Sequence, residues 1–162
     1  MASVLEADEK EGATLVRLFT DEKFDEAALL IAECPTADLH RFLSHKDDNN
    51  DNALFWALGM KCHEESLEAL VRGIFATHGS SYFEQRNNRQ RTALHEAAEY
   101  HDSVEFFIVV LSVVPDLVKA LDDEGKTAIG IAECRRQRND TIIAVLEEVS
   151  TDAQFIKKIH HL

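Results

Sequence analysis

Residues 82–98, YFEQRNNRQRTALHEAA, decide the fold of this chain. The second half of the stretch reads as one unit. Thr92 stands where a helix N-cap belongs, its hydroxyl oxygen able to accept from backbone N–H groups two or three residues on. Ala93 to Ala98 then form a short helix with small residues on one side. The first half has two aromatics, Tyr82 and Phe83, and a polar run through Asn87-Asn88. It predicts a short extended arm that ends in a turn.

The stretch recurs. FLSHKDDNNDNALFWAL from Phe42 and LVKALDDEGKTAIGIAE from Leu117 align with it without gaps, at offsets of 40 residues (42 to 82) and 35 residues (82 to 117). Two columns hold only alanine: Ala53, Ala93 and Ala128, then Ala57, Ala97 and Ala132. Between them Leu54, Leu94 and Ile129 share a column, and Asp47, Asn87 and Asp122 share another. Such periods belong to stacked repeats. A second, more apolar helix is predicted after each copy, over Ser66 to Phe75, Val104 to Val114 and Thr141 to Val149. A helix pair of this length cannot bury its apolar face alone, so neighbours stack and small alanines allow close approach. Leu54, Leu94 and Ile129 would then form a buried ladder. The turn position asks for positive φ, which Gly125 supplies and Asn50 tolerates. Gln90 is a departure there.

The pattern resembles the ankyrin repeat, whose consensus runs D-x-x-G-x-T-P-L-H-x-A-A with a period near 33. Thr92-Ala93-Leu94-His95-Glu96-Ala97-Ala98 follows it with Ala for Pro, and Asp122, Gly125 and Thr127 fall in place in the third copy. Asp47 to Leu58 is the most degenerate copy, and Phe55 and Gly130 replace the family's His. The resemblance implies an all-α ankyrin-type solenoid of about four helix-turn-helix units with short projecting arms. The implied divisions are 1–41 (an N-terminal capping repeat), 42–81, 82–116, 117–150, and 151–162 (a C-terminal capping helix or tail).

The rest of the chain fits this frame. Residues 3–19 predict one helix or two joined near Gly12, and Phe24 to Ala32 a second helix stopped by Pro35. About seven residues beyond the ~33-residue consensus are expected in Ile74 to Ser81, where Thr77-His78-Gly79-Ser80-Ser81 has loop composition. In the last segment Phe155, Ile156 and Ile159 share one helical face, as a cover for a terminal repeat requires.

Charge and cysteine use narrow the function. With 17 Lys and Arg against 30 Asp and Glu, the formal charge is −13. Such a field repels phosphate backbones and anionic membranes and favours a basic protein surface. Cys34, Cys62 and Cys134 are widely spaced, and the acidic start from Met1 to Asp8 does not read as a secretory signal. An intracellular chain with free thiols is expected, cytoplasmic or nuclear and without membrane insertion. No apolar run approaches the roughly 20 residues of a membrane span.

Chemistry has little foothold. Cys62-His63 holds a thiol beside an imidazole but reads as a variant inter-helix turn, because adjacent residues point apart. His95 reads as a helix-start residue, and His160-His161 as tail rather than as a metal site. Gly125-Lys126-Thr127 lacks the earlier glycine and the strand of a phosphate loop. No cofactor and no metal are expected.

By the resemblance, partner contacts belong to the turn tips and the ends of the first helices. These are Asp48, Asn49, Asp51, Gly59 and Met60; Asn88, Arg89, Arg91, Glu99 and Tyr100; and Asp123, Glu124, Lys126, Cys134 and Arg135. Trp56, Glu96 and Ile131 share a neighbouring column, and Trp56 reads equally as contact anchor and as core. Reversing Arg89 and Arg91 to Glu is expected to weaken binding to an acidic partner and leave the fold intact. The implied role is a non-catalytic module that scaffolds, adapts or inhibits another protein, with a microbial or viral effector acting on a host protein as one setting. A monomer is expected. A self-associating structural subunit is the rival reading, followed by an enzyme at Cys62/His63.

Overall fold

The computed structural model describes residues 13–152. The described residues form nine α-helices and two 3-10 helices, with no strand beyond an isolated antiparallel bridge between Lys46 and Asn52. The chain divides into two units between Tyr82 and Phe83, one residue past the boundary expected between the second and third repeats.

The first unit contains α1 (Thr14–Thr20), α2 (Phe24–Glu33), α3 (Thr36–Ser44), α4 (Ala53–Gly59) and α5 (Glu64–Thr77). Leu15 and Phe19 of α1 are wholly buried, as are Leu54, Ala57 and Leu58 of α4. α1 packs on α2 and α4, while α2 and α3 pack on α5. A Cβ on Gly73 of α5 would lie 3.0 Å from Ile31 Cγ2 and 3.2 Å from Leu39 Cδ2, so glycine sets how closely α2 and α3 approach. The α1/α2 and α4/α5 hairpins turn by one device. Lys23 N donates to Leu18 O at 2.8 Å and Glu22 N to Phe19 O at 3.1 Å; Cys62 N donates to Ala57 O at 3.0 Å and Lys61 N to Leu58 O at 3.1 Å. Glu22 and Lys61 take the left-handed conformation that such helix ends require.

The second unit contains α6 (Ala93–Tyr100), α7 (Val104–Val113), α8 (Ala128–Cys134) and α9 (Asp140–Thr151), with a 3-10 helix at Pro115–Lys119. α6 packs on α8 and α7 on α9, first helix to first and second to second. Phe107, Val110 and Leu111 of α7 and Ile142 and Leu146 of α9 are almost wholly buried, and the two helices pack on each other. Ser103 and Asn139 cap α7 and α9, Ser103 Oγ accepting from Phe106 N and Asn139 Oδ1 from Thr141 N and Ile142 N.

Four expectations need correction. The arm is helical where it was read as extended: Phe42 lies in α3, Tyr82 in the 3-10 helix Ser80–Glu84, and Leu117 in the one at Pro115–Lys119. The helix α3 itself was not anticipated, although Leu39, Phe42 and Leu43 form its buried face at helical spacing. The residues expected as a loop in Ile74 to Ser81 instead extend α5 to Thr77 and build the 3-10 helix that follows. Finally, Leu54 and Leu94 are fully buried, but Ile129 is half-exposed and lines a shallow cleft of about 400 Å³ with Glu147, Glu148, Ser150 and Thr151. The capping segment read from Phe155, Ile156 and Ile159, the helix read from Val4 and Leu5, and His160-His161 lie outside the described residues.

Gln90 does not loosen its turn. It adopts φ 55°, beside 63° at Asn50 and 73° at Gly125 in the equivalent positions. A left-handed residue with a Cβ costs about 1–2 kcal/mol, part of which glycine returns in chain entropy. Gln90→Gly is therefore expected to stabilise the fold by about 0.5–1 kcal/mol, read as a higher denaturant midpoint at constant slope. A lower midpoint would show that the Gln90 side chain is needed in the turn.

Candidate protein-binding surface

The three predicted tips are the same turn built three times. In the first, Asp47 Oδ1 accepts from Asn49 N at 2.8 Å and Asp51 N at 2.9 Å, Asp47 N donates to Asp51 O, and Asn50 N donates to Asp47 O. Asn87 Oδ1 does the same for Arg89 N (3.0 Å) and Arg91 N (3.1 Å), and Asp122 Oδ1 for Glu124 N (3.0 Å) and Lys126 N (2.8 Å). The backbone closures Asn87–Arg91, Gln90–Asn87, Asp122–Lys126 and Gly125–Asp122 repeat as well. Each turn feeds a capped helix: Asn52 Oδ1 accepts from Leu54 N and Phe55 N, Thr92 forms a capping box with His95, and Thr127 Oγ1 accepts from Gly130 N.

In the first unit Asp48 and Asn49 are exposed at the tip. Asp51 and Met60 are half-buried. Trp56 is half-buried too, and its Nε1 donates to Asp47 Oδ2 at 3.0 Å, so the indole braces the turn.

In the second unit two tips lie side by side, joined by a bond from Asp123 N to Arg89 O at 3.0 Å. Arg86, which sequence reasoning missed, donates through Nη1 to both Gln90 O and Leu121 O. Carbonyl acceptors leave no trace in sequence, so nothing there could have singled it out. The outer edge carries a row of alternating charge. Arg89 Nη2 lies 3.5 Å from Glu124 Oε1, and Lys126 Nζ lies 2.6 Å from Glu124 Oε2, with all three side chains about half exposed. The ammonium of Lys126 holds the Glu124 carboxyl below its usual range. Asn88 and Asp123 are exposed beside this row.

Other expected contact residues are committed inward. Arg91 is only 4% exposed, because its guanidinium meets Glu96 at 3.5 Å, Glu99, and Asp122 at 3.6 Å. The double reversal at Arg89 and Arg91 would therefore not leave the fold intact: a glutamate at 91 would face three buried or half-buried carboxylates. Burial opposes the charge on Arg91, yet Glu99 and Glu96 outweigh it and hold the guanidinium above its usual range. Burial likewise opposes ionisation of Asp122, but the N–H groups of Lys126 and Glu124, with Arg91, keep its carboxyl below the usual value. Glu96 is buried, while Glu99 and Tyr100 are half-buried against this cluster. Arg135 is also spent internally. It forks onto Asp102 at 2.8 and 3.2 Å and caps α6 by donating to Tyr100 O and His101 O.

The thiol and imidazole of Cys62-His63 do not form a couple. Cys62 is buried, and burial, helped by Glu64, pushes its thiol up to about 12. The His63 ring stands edge-on to Phe24 at 5.2 Å, and its Nδ1 lies 4.0 Å from Asp25. Among the described residues no group of three or more His, Cys, Asp or Glu could hold a metal ion, and no helix is long and apolar enough to cross a membrane. No known family profile and no curated protein matches the chain.

Proposed function

We propose that the chain is a non-catalytic, ankyrin-type protein-binding module, in which the hairpins α1/α2, α4/α5, α6/α7 and α8/α9 are repeat units of one solenoid. The triplicated turn, the alanine columns and the first-to-first, second-to-second helix packing inside each unit support the repeat reading. The binding reading rests on one observation. Two turns locked to each other present Arg89, Glu124 and Lys126 as a +, −, + row whose charged side-chain groups stand outside the bonds that close the turns. A preformed charged row binds with little ordering cost, and it selects a partner that carries the opposite pattern. The overall negative field adds long-range attraction for a basic partner. A buried thiol pushed far above neutral pH is a poor nucleophile, which weighs against the Cys62/His63 enzyme.

The test is affinity capture from the native cell with two baits, the natural chain and the pair Arg89→Glu, Lys126→Glu. The double variant is expected to lose its partner by about tenfold in affinity while its denaturation midpoint stays unchanged. Equal recovery by both baits removes the charged row from the site.

A further inference from the structure

We propose that the contact between α3 and α5 in the first unit is an acid-opened clasp, built on the stacked rings of His40 and His78. The rings lie 4.1 Å apart at 11°, one from the middle of α3 and the other capping the C-terminus of α5. His78 is gripped on both edges: Nδ1 lies 2.8 Å from Thr77 Oγ1 and Nε2 lies 3.0 Å from Ser44 Oγ. Both hydroxyls have a second option, Thr77 Oγ1 reaching Gly73 O at 2.8 Å and Ser44 Oγ reaching His40 O at 2.8 Å. In the neutral ring Nδ1–H donates to Thr77 and Ser44 donates to Nε2. After protonation Nε2–H donates to Ser44, whose hydroxyl turns to His40 O. The hydrogen bonds therefore tolerate either state of His78, and the outcome is decided by its neighbours.

Of those neighbours, the His40 ring opposes a second charge, and the surrounding acids are paired or stand apart. On α3, Asp38 and Arg41 pair with each other at 3.6 Å, and on α5, Glu68 pairs with Arg72. Toward the following 3-10 helix the ring meets the edge of Tyr82 at 5.1 Å, with Glu84 exposed at the far end. At the C-terminus of α2, which also packs on α5, stand Glu33 and Cys34. Among the described residues neither imidazole has a carboxylate partner. Two imidazolium rings at stacking distance repel, and burial together with His40 already pulls His78 below the ordinary histidine value. The α5 C-terminus favours a cation, but only within its last turn and less strongly than a second charge at this distance disfavours it. A histidine depressed in the folded state stabilises fully above its unfolded value near ~6.5, and that stability is lost as pH falls through the lower folded value. Acidification thus loosens α3, whose remaining ties include buried Leu39, Phe42 and Leu43 and the bond from Tyr82 Oη to Leu43 O at 2.8 Å.

Amide hydrogen exchange on the full chain, as protection factors at pH 7.5 and pH 5, tests the clasp. The α3 amides are expected to lose protection by about tenfold or more, one pK unit of coupling, while α1 and α4 change less. No loss in α3, or an equal loss in all three helices, would overturn the proposal, and this comparison needs no variant. His40→Phe keeps a stacked ring but cannot charge. It is expected to shrink the acid loss in α3 to the part that burial of His78 alone causes, and a loss as large as in the natural chain would equally overturn the clasp.

Discussion

Arg91→Ala is expected to destabilise the second unit by about 3–5 kcal/mol, the range for removing one partner of a buried ion pair. The Arg91 side chain is 5% exposed and Asp122 has no exposed side-chain surface. With the guanidinium gone, Asp122 and Glu96 keep their charges without a cation in a site that water barely enters. The loss should depend on pH in a defined direction. Asp122 is held below its ordinary value, so the stability it supplies is present above ~3.9 and disappears as pH falls through the lower folded value. The gap between natural chain and variant is therefore widest above about pH 5 and narrows in acid, where protonated carboxyls need no cation. Arg89→Ala is the control, since its partner Glu124 is half exposed and an ion pair in solvent contributes little. Equal midpoint losses for the two variants would sink the idea that burial separates their roles.

His95→Ala should cost about 3 kcal/mol, from orphaned polar groups and the cavity left by a buried ring. Nδ1 accepts from Thr92 N at 3.2 Å and pairs with Thr92 Oγ1 at 2.9 Å, while Nε2 faces Ala120 O and Lys126 O, each at 3.2 Å. Two carbonyls at Nε2 and a backbone N–H at Nδ1 fix the neutral tautomer with its proton on Nε2. Burial lowers the histidine's pKa, against a partial opposing pull from the Lys126 carbonyl and Asp122. Protonating Nδ1 would set it against the Thr92 N–H. The stability from His95 is thus complete above ~6.5 and is lost as pH drops through the lowered folded value. Subtracting the variant's stability from that of the natural chain across pH 4–8 should give a difference that shrinks toward acid. A flat difference would mean that the ring acts through packing alone.

The parts of this fold that were legible in sequence are those set by local chemistry. Thr92 was read as a cap from its type and place, and the shared column of Asp47, Asn87 and Asp122 marks the three turns that those side chains close. Aligning Phe42 with Tyr82 and Leu117 assigned it to an arm and hid the spacing of Leu39, Phe42 and Leu43 that defines α3. Gln90 looked unsuited to a left-handed position, but four hydrogen bonds anchored on Asn87 outweigh its local preference. The surface was the least legible. Arg89 and Arg91 are near neighbours in one polar run, yet one faces solvent and the other an acidic cluster completed by Asp122 from the next turn. No local pattern distinguishes them, because burial there is created by a residue far along the chain.

The triplicated turn separates what holds the chain together from what the chain displays. The repeated closing bonds use backbone atoms and the single Asp or Asn at the turn's base, and the side chains at 49, 89, 123 and 124 take no part in them. Those positions can therefore be exchanged among polar residues with almost no effect on folding, so that a new preference can be written into the tips by substitution alone. Arg91 and Asp122 mark the inner limit of that freedom: one residue further in, a change of recognition becomes a change of fold.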